Sequence, residues 1–286
     1  MSVITSIVQA ILQSIAWIIP ISESGHSAIY HDFASKADGY VAALTGVIHI
    51  GIAVGILVAC LKMTVRMSKE FVSCAGDVVK RNFSYREARP ARKFMLMLML
   101  CFAPMLLWLI PIGKNGMLYE VLRRTNFNGT LLDTGIFFAV TGGLLLLALR
   151  QLTLEKNTKN MTVISAVTVG IVSLVLVPVT GLSLIGGVFS LLILMGVSKK
   201  QAVNFSLLMS VPILIVMGII EIVTAAYKVT LVQIILALIF SVACSFVCTR
   251  VFKWLINKNT IKYVAYYDLF MGGIVAVIGI VQLIIR

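Results

Sequence analysis

Charge is what this sequence has least of. Asp, Glu, Lys and Arg make up 12% of its 286 residues, where a soluble domain carries about 25%. That shortage excludes a soluble globular domain. Acids are scarcer still, 11 against 24 Lys and Arg, which gives a formal net charge of +13. The basic residues fall between apolar runs, as the loops on the cytoplasmic side of a membrane do, and this excludes nucleic acid as the partner. The five cysteines (Cys60, Cys74, Cys101, Cys244 and Cys248) show neither metal-ligand nor disulfide spacing. Cys244 and Cys248 lie four apart in an apolar run, share a helix face and read as free packing residues. The N-terminal apolar run lacks a basic leader and a small-residue cleavage site, so it is not read as a removable signal peptide. The Asn-x-Ser/Thr triplets at Asn82, Asn128 and Asn160 are read as chance.

What the chain has in abundance is apolar length. Hydrophobic residues make up 60% of it, in several runs of 18 or more, each long enough for a hydrocarbon core of ~30 Å. The expected fold is an all-α polytopic membrane protein. Val41–Leu61, Phe94–Ile112, Leu132–Leu149, Ala202–Ala226, Leu231–Val251 and Val264–Ile285 read as six full crossings. Between the first two lies Lys62–Lys93, with nine Lys/Arg against three acids, expected as a cytoplasmic loop. Counting from it makes 113–131 an external loop and puts the C-terminus outside.

Two apolar segments are broken by polar residues. Val3–Ile19 stops at Pro20-Ile21-Ser22-Glu23-Ser24-Gly25-His26, and the stretch from Ser24 to Ala34 is too short to span. Met161–Val177 and Leu182–Val197 flank a second break at Pro178–Gly181. Each pair is expected as a re-entrant helical hairpin, the first entering from outside and the second from inside. Freed backbone groups at that depth need protein or a water-filled cavity to satisfy them. Two such breaks in opposed halves are the pattern of inverted-topology repeats with a site near the midplane. The chain thus reads as one integral membrane domain, 1–286, with repeats at about 1–112 and 132–286 joined by 113–131.

The first break resembles the signature Pro-Ile-Ser-Ser-Ser/Thr-Gly-His of the bacterial undecaprenyl-diphosphate phosphatase family. Pro178-Val-Thr-Gly-Leu-Ser-Leu-Ile-Gly186 resembles its second signature, Pro-Gly-x-Ser-Arg-Ser-Gly. Met195-Gly-Val-Ser198, Asn204-Phe-Ser206, Ile48-His-Ile-Gly51 and Gly142-Gly-Leu-Leu-Leu146 extend the likeness over most of the chain. The resemblance implies an inverted-repeat fold in a bacterial plasma (inner) membrane. It also implies action on a polyprenyl (undecaprenyl) diphosphate carrier of cell-envelope synthesis, with hydrolysis to the monophosphate and phosphate. The alternative is a catalytically inactive relative that binds or translocates the polyprenyl-phosphate carrier. A third reading is a structural partner of an envelope enzyme. The expected partners are the polyprenyl lipid and the membrane, with a homodimer as the candidate oligomer.

Position by position the match is partial. His26, Ser22, Ser24 and Gly25 keep the first signature, while its second serine is Glu23. Gly181, Ser183 and Gly186 keep the second, but its arginine is Leu184 and the next serine Ile185. Two helix glutamates of the family fall at Gln13 and Trp17, and another at Asn204. Arg to Leu removes a bidentate phosphate clamp. The expected catalytic set is His26, Glu23, Ser22 and Ser24. Gly25, Ser183, Gly181, Gly186 and His49 are expected to bind substrate. The family implies a divalent cation, Mg or Ca, with Glu23 as candidate ligand, although no obvious carboxylate set supports one. Glu23 is expected to pair with His26, three residues on. His49 either packs in its helix or joins His26. Glu221, near the outer end of its helix, either snorkels to the headgroups or is functional, with Glu221→Gln expected to change little, and His31, Asp32 and Asp268 are expected at the interface.

Overall fold

In a computed structural model, residues 3–33, 42–113, 118, 130–154, 158–225 and 229–285 are described. They form eleven α-helices, named in chain order: α1 (Val3–Ile18), α2 (Glu23–Phe33), α3 (Ala42–Ala59), α4 (Leu61–Val79), α5 (Pro90–Phe102), α6 (Leu132–Leu154), α7 (Val163–Leu176), α8 (Leu184–Leu194), α9 (Lys199–Val223), α10 (Leu231–Asn257) and α11 (Lys262–Ile285). A 3-10 turn, Pro104–Leu109, extends α5. Five spans are long and apolar enough to cross a bilayer (α5 with its 3-10 turn, α6, α9, α10 and α11), and α3 with α4 passes the same test only as a pair bent by 92°. The chain is an all-α polytopic membrane protein.

The core is a bundle around α3, which packs along both α9 and α10, while α6 packs along α11 and α1 lies against α10. Apolar side chains gain nothing from leaving lipid, so small residues that let backbones approach do this work. Gly51 and Gly55 of α3 face Ser241 and Ser245 of α10, and a Cβ on Gly51 would lie 2.9 Å from that of Ser241. The contact of α3 with α9 is reciprocal. A Cβ on Gly46 would meet Gly218 O at 2.6 Å, and one on Gly218 would meet Gly46 O at 2.7 Å. Gly135 and Gly272 repeat this between α6 and α11.

One expectation fails here. Lys62–Lys93 is expected as a loop, but Leu61–Val79 is helical and turns 92° from α3 at Cys60. Its basic residues hid a helical period that the apolar positions carry. The expected outer loop 113–131 falls mostly outside the described residues.

The basic connections gather at one end. Lys199 Nζ donates to Asn259 Oδ1 (2.6 Å), Lys253 Nζ lies 3.1 Å from Cys60 Sγ, and Lys159 bridges Val197. At the other end Gln282 links α2 and α6, donating to Asp32 Oδ2 (2.6 Å) and accepting from Leu131 N–H (2.9 Å). The α1–α2 pair therefore opens at one end and α7–α8 at the other. α2 and α8, of 11 residues each, rise only about 16 Å, half a hydrocarbon core.

Candidate functional site

Ser22 makes the first break. Pro20 has no N–H to continue α1, and Ser22 takes φ +62, a left-handed conformation costly for a residue with a Cβ. Contacts to both its hydroxyl and its carbonyl hold it. Its Oγ donates to Leu182 O (3.2 Å) in the second break and accepts from Gly25 N–H (3.2 Å), capping α2. Its carbonyl accepts from the backbone N–H of His26 (3.2 Å) and lies 2.8 Å from His26 Nδ1.

The second break is built the same way. Gly181 has φ +98 and meets α6 so closely that a Cβ would lie 2.6 Å from Thr134 O. Only glycine suits both demands. Ser183 caps α8 through Gly186 N–H (3.2 Å), and its own N–H donates to Thr141 Oγ1 of α6 (3.2 Å). The breaks interlock: Gly181 N–H donates to Ser24 Oγ (3.4 Å), a Cβ on Gly25 would lie 3.1 Å from Gly181 Cα, and one on Gly186 would lie 2.8 Å from Pro20 Cβ.

Beside this junction lies a cavity of about 640 Å³ between α1, α2 and α11. Most of its wall is apolar, with Val8, Leu12, Ile15, Ile29 and Met271. Leu12 and Tyr30 are exposed, so it opens at the protein surface. Glu23, His26, Ser27 and Tyr267 bring polar groups to the wall. A second cavity of about 40 Å³ lies among Trp17, Glu23, Ser24, Ser183 and Leu184.

His26 is fixed on four sides. Its ring stacks on Tyr267 (centroids 5.9 Å, 6° between planes) and takes an edge contact from Phe138 (5.2 Å). Tyr267 Oη lies 2.7 Å from Nε2. A carbonyl only accepts, so Nδ1 beside Ser22 O carries the hydrogen. In the neutral ring Nε2 therefore offers its lone pair, and the Tyr267 hydroxyl donates to it. That arrangement puts a base behind the cavity wall, reached through the Tyr267 hydroxyl.

The expected residues separate into groups. Ser22, Glu23, Ser24, Gly25, His26, Gly181, Ser183 and Gly186 come together. Glu23 and His26 share a wall but do not pair: Glu23 Oε1 accepts from Ser27 Oγ (2.8 Å), one turn on, while both His26 nitrogens are engaged elsewhere. Ser183 is buried and borders the small cavity, not the one at His26.

His49 is not on the wall of either cavity. Its Nδ1 lies 2.7 Å from Glu221 Oε2 across α3 and α9, beside the Trp17 ring (5.4 Å). Glu221 is thus buried in protein instead of at the headgroups, because the Gly46–Gly218 contact brings its helix onto α3. Asp268 is also buried, at 0% exposure, on the face of α11 that carries Ala265 and Gly272, and among the described residues its carboxylate has no hydrogen-bond partner. The exposed Tyr266 takes the outer face in its place. Asp32 is exposed, and the His31 side chain lies outside the described residues. Gln13 lines the large cavity, its amide donating to Thr45 Oγ1 (3.4 Å).

These residues do not fit a hard divalent cation. Glu23 is the one carboxylate on either cavity wall, and among the described residues no three His, Cys, Asp or Glu gather as a ligand set. Such a cation wants six or more oxygens with carboxylates among them.

Residues 6–274 match the family described as bacitracin resistance protein BacA. The undecaprenyl-diphosphatase of Methanosphaera stadtmanae is 26% identical, over 98% of this chain and 99% of that protein. Those of Alkaliphilus metalliredigens (26%; 96% and 98%) and Treponema denticola (27%; 95% and 96%) are similar over comparable lengths.

Proposed function

Because the chain belongs to the bacitracin resistance protein BacA family, we propose that it acts on undecaprenyl diphosphate in the cytoplasmic membrane, releasing the terminal phosphate. The observation that carries this reading is the shape of the large cavity. An apolar groove open at the surface, with His26 on its wall, suits a lipid whose tail is hydrocarbon and whose head is a diphosphate.

In this reading the prenyl chain lies along α1 and the head reaches the junction of the two breaks. Water gives a proton to Tyr267 Oη as that hydroxyl passes its own to His26 Nε2, the water oxygen bonds to the terminal phosphorus, and the bridging P–O bond breaks to release the lipid monophosphate. Leu184 stands where the family has its arginine, so no guanidinium meets the phosphoryl oxygens from that position. Glu23, held by Ser27, positions the water. No metal step is assigned, since the donor set is wrong for one.

Phosphate release from undecaprenyl diphosphate by the purified protein tests this. His26→Gln is expected to lower the rate about 100-fold or more, with lipid-dependent thermal stabilisation retained. Stabilisation without any release from the wild-type protein would leave a binder or translocator of the carrier. Neither stabilisation nor release would overturn the reading.

A further inference from the structure

The Cys60 hinge places α4 where a helix has few options. α3 packs along the spans α9 and α10, and α4 departs from it at 92°. The hinge is one residue: Cys60 N–H still bonds Ile56 O (2.9 Å), and Cys60 O accepts from Met63 and Thr64 (2.8 and 3.0 Å). With no slack in the chain, α4 runs nearly at right angles to α3, at the basic end of the molecule.

At 100° per residue its side chains sort into three sectors. Leu61, Val65, Val72 and Val79 form one stripe, exposed by 55, 44, 72 and 82%, with Phe71 and Val78 exposed on the neighbouring arc. Thr64 and Ser68 lie in the same sector, but their hydroxyls bond carbonyls within α3 and α4 (Cys60 O at 3.3 Å, Thr64 O at 3.1 Å) and need no water. The second sector is cationic and exposed: Lys62, Arg66 and Lys69, continued by Lys80 at the helix end.

The third sector carries both acids of the helix, and both are neutralised from outside it. Arg92 at the start of α5 bonds Glu70 (3.1 Å) and Asp77 (2.6 Å), and Arg89 lies 3.5 Å from Glu70. Among the described residues no ion pair reaches Lys62, Arg66, Lys69 or Lys80. Asp77 is 37% exposed but held by Arg92, and the rest of the charged exposed surface of α4 is positive.

We propose that α4 is an interfacial helix that docks on anionic phospholipid, its Leu61–Val79 stripe at the acyl boundary and its four cations among the headgroups. An apolar face flanked by lysine is what such a surface binds, and each cation near it adds to the attraction. This assignment does not depend on the reaction proposed above.

Hydrogen exchange of the intact protein in single-copy nanodiscs tests it. Discs of phosphatidylcholine alone are compared with discs containing phosphatidylglycerol. Amides of 61–80 are expected to exchange about 10-fold more slowly with phosphatidylglycerol. The Lys62→Gln, Arg66→Gln, Lys69→Gln, Lys80→Gln variant is expected to lose that difference, while α3 and α10 amides report an unchanged fold. Val72→Asp is expected to raise exchange in both lipids. Equal exchange of the wild type in both lipids, or a difference that survives the four substitutions, overturns the proposal. Protection that appears only in discs holding two copies also overturns it, and makes the face a contact between chains.

Discussion

Tyr267 determines which nitrogen of His26 is offered and in which direction. Its hydroxyl holds Nε2 while Ser22 O holds Nδ1, so the imidazole has one tautomer and one pose. Tyr267→Phe keeps the stacked ring and removes the donor. We expect phosphate release to fall about fivefold, the worth of one hydrogen bond, with the thermal midpoint unchanged. An unchanged rate would remove Tyr267 from the site. The His49–Glu221 pair predicts a different signature. Both side chains are buried, and removing one partner of a buried pair costs about 3–5 kcal/mol. Glu221→Leu should therefore lower unfolding stability in detergent by about that amount. His49→Leu with Glu221→Met should recover most of it. A midpoint that does not move in Glu221→Leu would show that the pair contributes nothing. The sequence disclosed neither partnership: His26 and Tyr267 are 241 residues apart, His49 and Glu221 are 172 apart, and neither separation leaves a local pattern. The substitutions at Gln13, Trp17 and Leu184 were legible because a motif marks where something else is expected.

Helices meet here by the absence of side chains. Gly51→Leu or Gly55→Leu would drive a branched chain into Ser241 or Ser245, and overpacking of this kind costs about 1–3 kcal/mol. Gly143→Leu, on a side of α6 with nothing within 4 Å, should leave stability unchanged or slightly raised. Unfolding of the three variants in one detergent checks the ordering, and equal losses would refute the packing account. Element boundaries were mostly legible. Proline and glycine punctuate both breaks, and the apolar runs end within a few residues of the helices. α4 was not, because nine Lys and Arg across 62–93 outweighed the apolar period beneath them.

At the scale of the whole molecule, charge counting assigns the basic loops to the cytoplasm, and the fold brings several of them to one end. The loops of Lys159, Lys199, Lys253 and Asn259 meet at one end, and Asp32, Leu131 and Gln282 at the other. Cysteines placed at Asn259 and Ser84 should be shielded from an impermeant reagent in intact cells, while one at Thr130 should react. The reverse pattern would invert the topology. The interlocked breaks also bear on how the protein is made. Ser22 donates to a carbonyl 160 residues further along the chain, and at 5–20 residues per second a ribosome needs roughly 8–32 s to deliver it. For that interval the nascent α1–α2 hairpin holds a serine, a carboxylate and an imidazole with no α8 to receive them. Such a hairpin is poorly suited to the lipid interior by itself, so it must wait at the membrane surface or in the insertion machinery, and translation sets the earliest moment at which the site can exist.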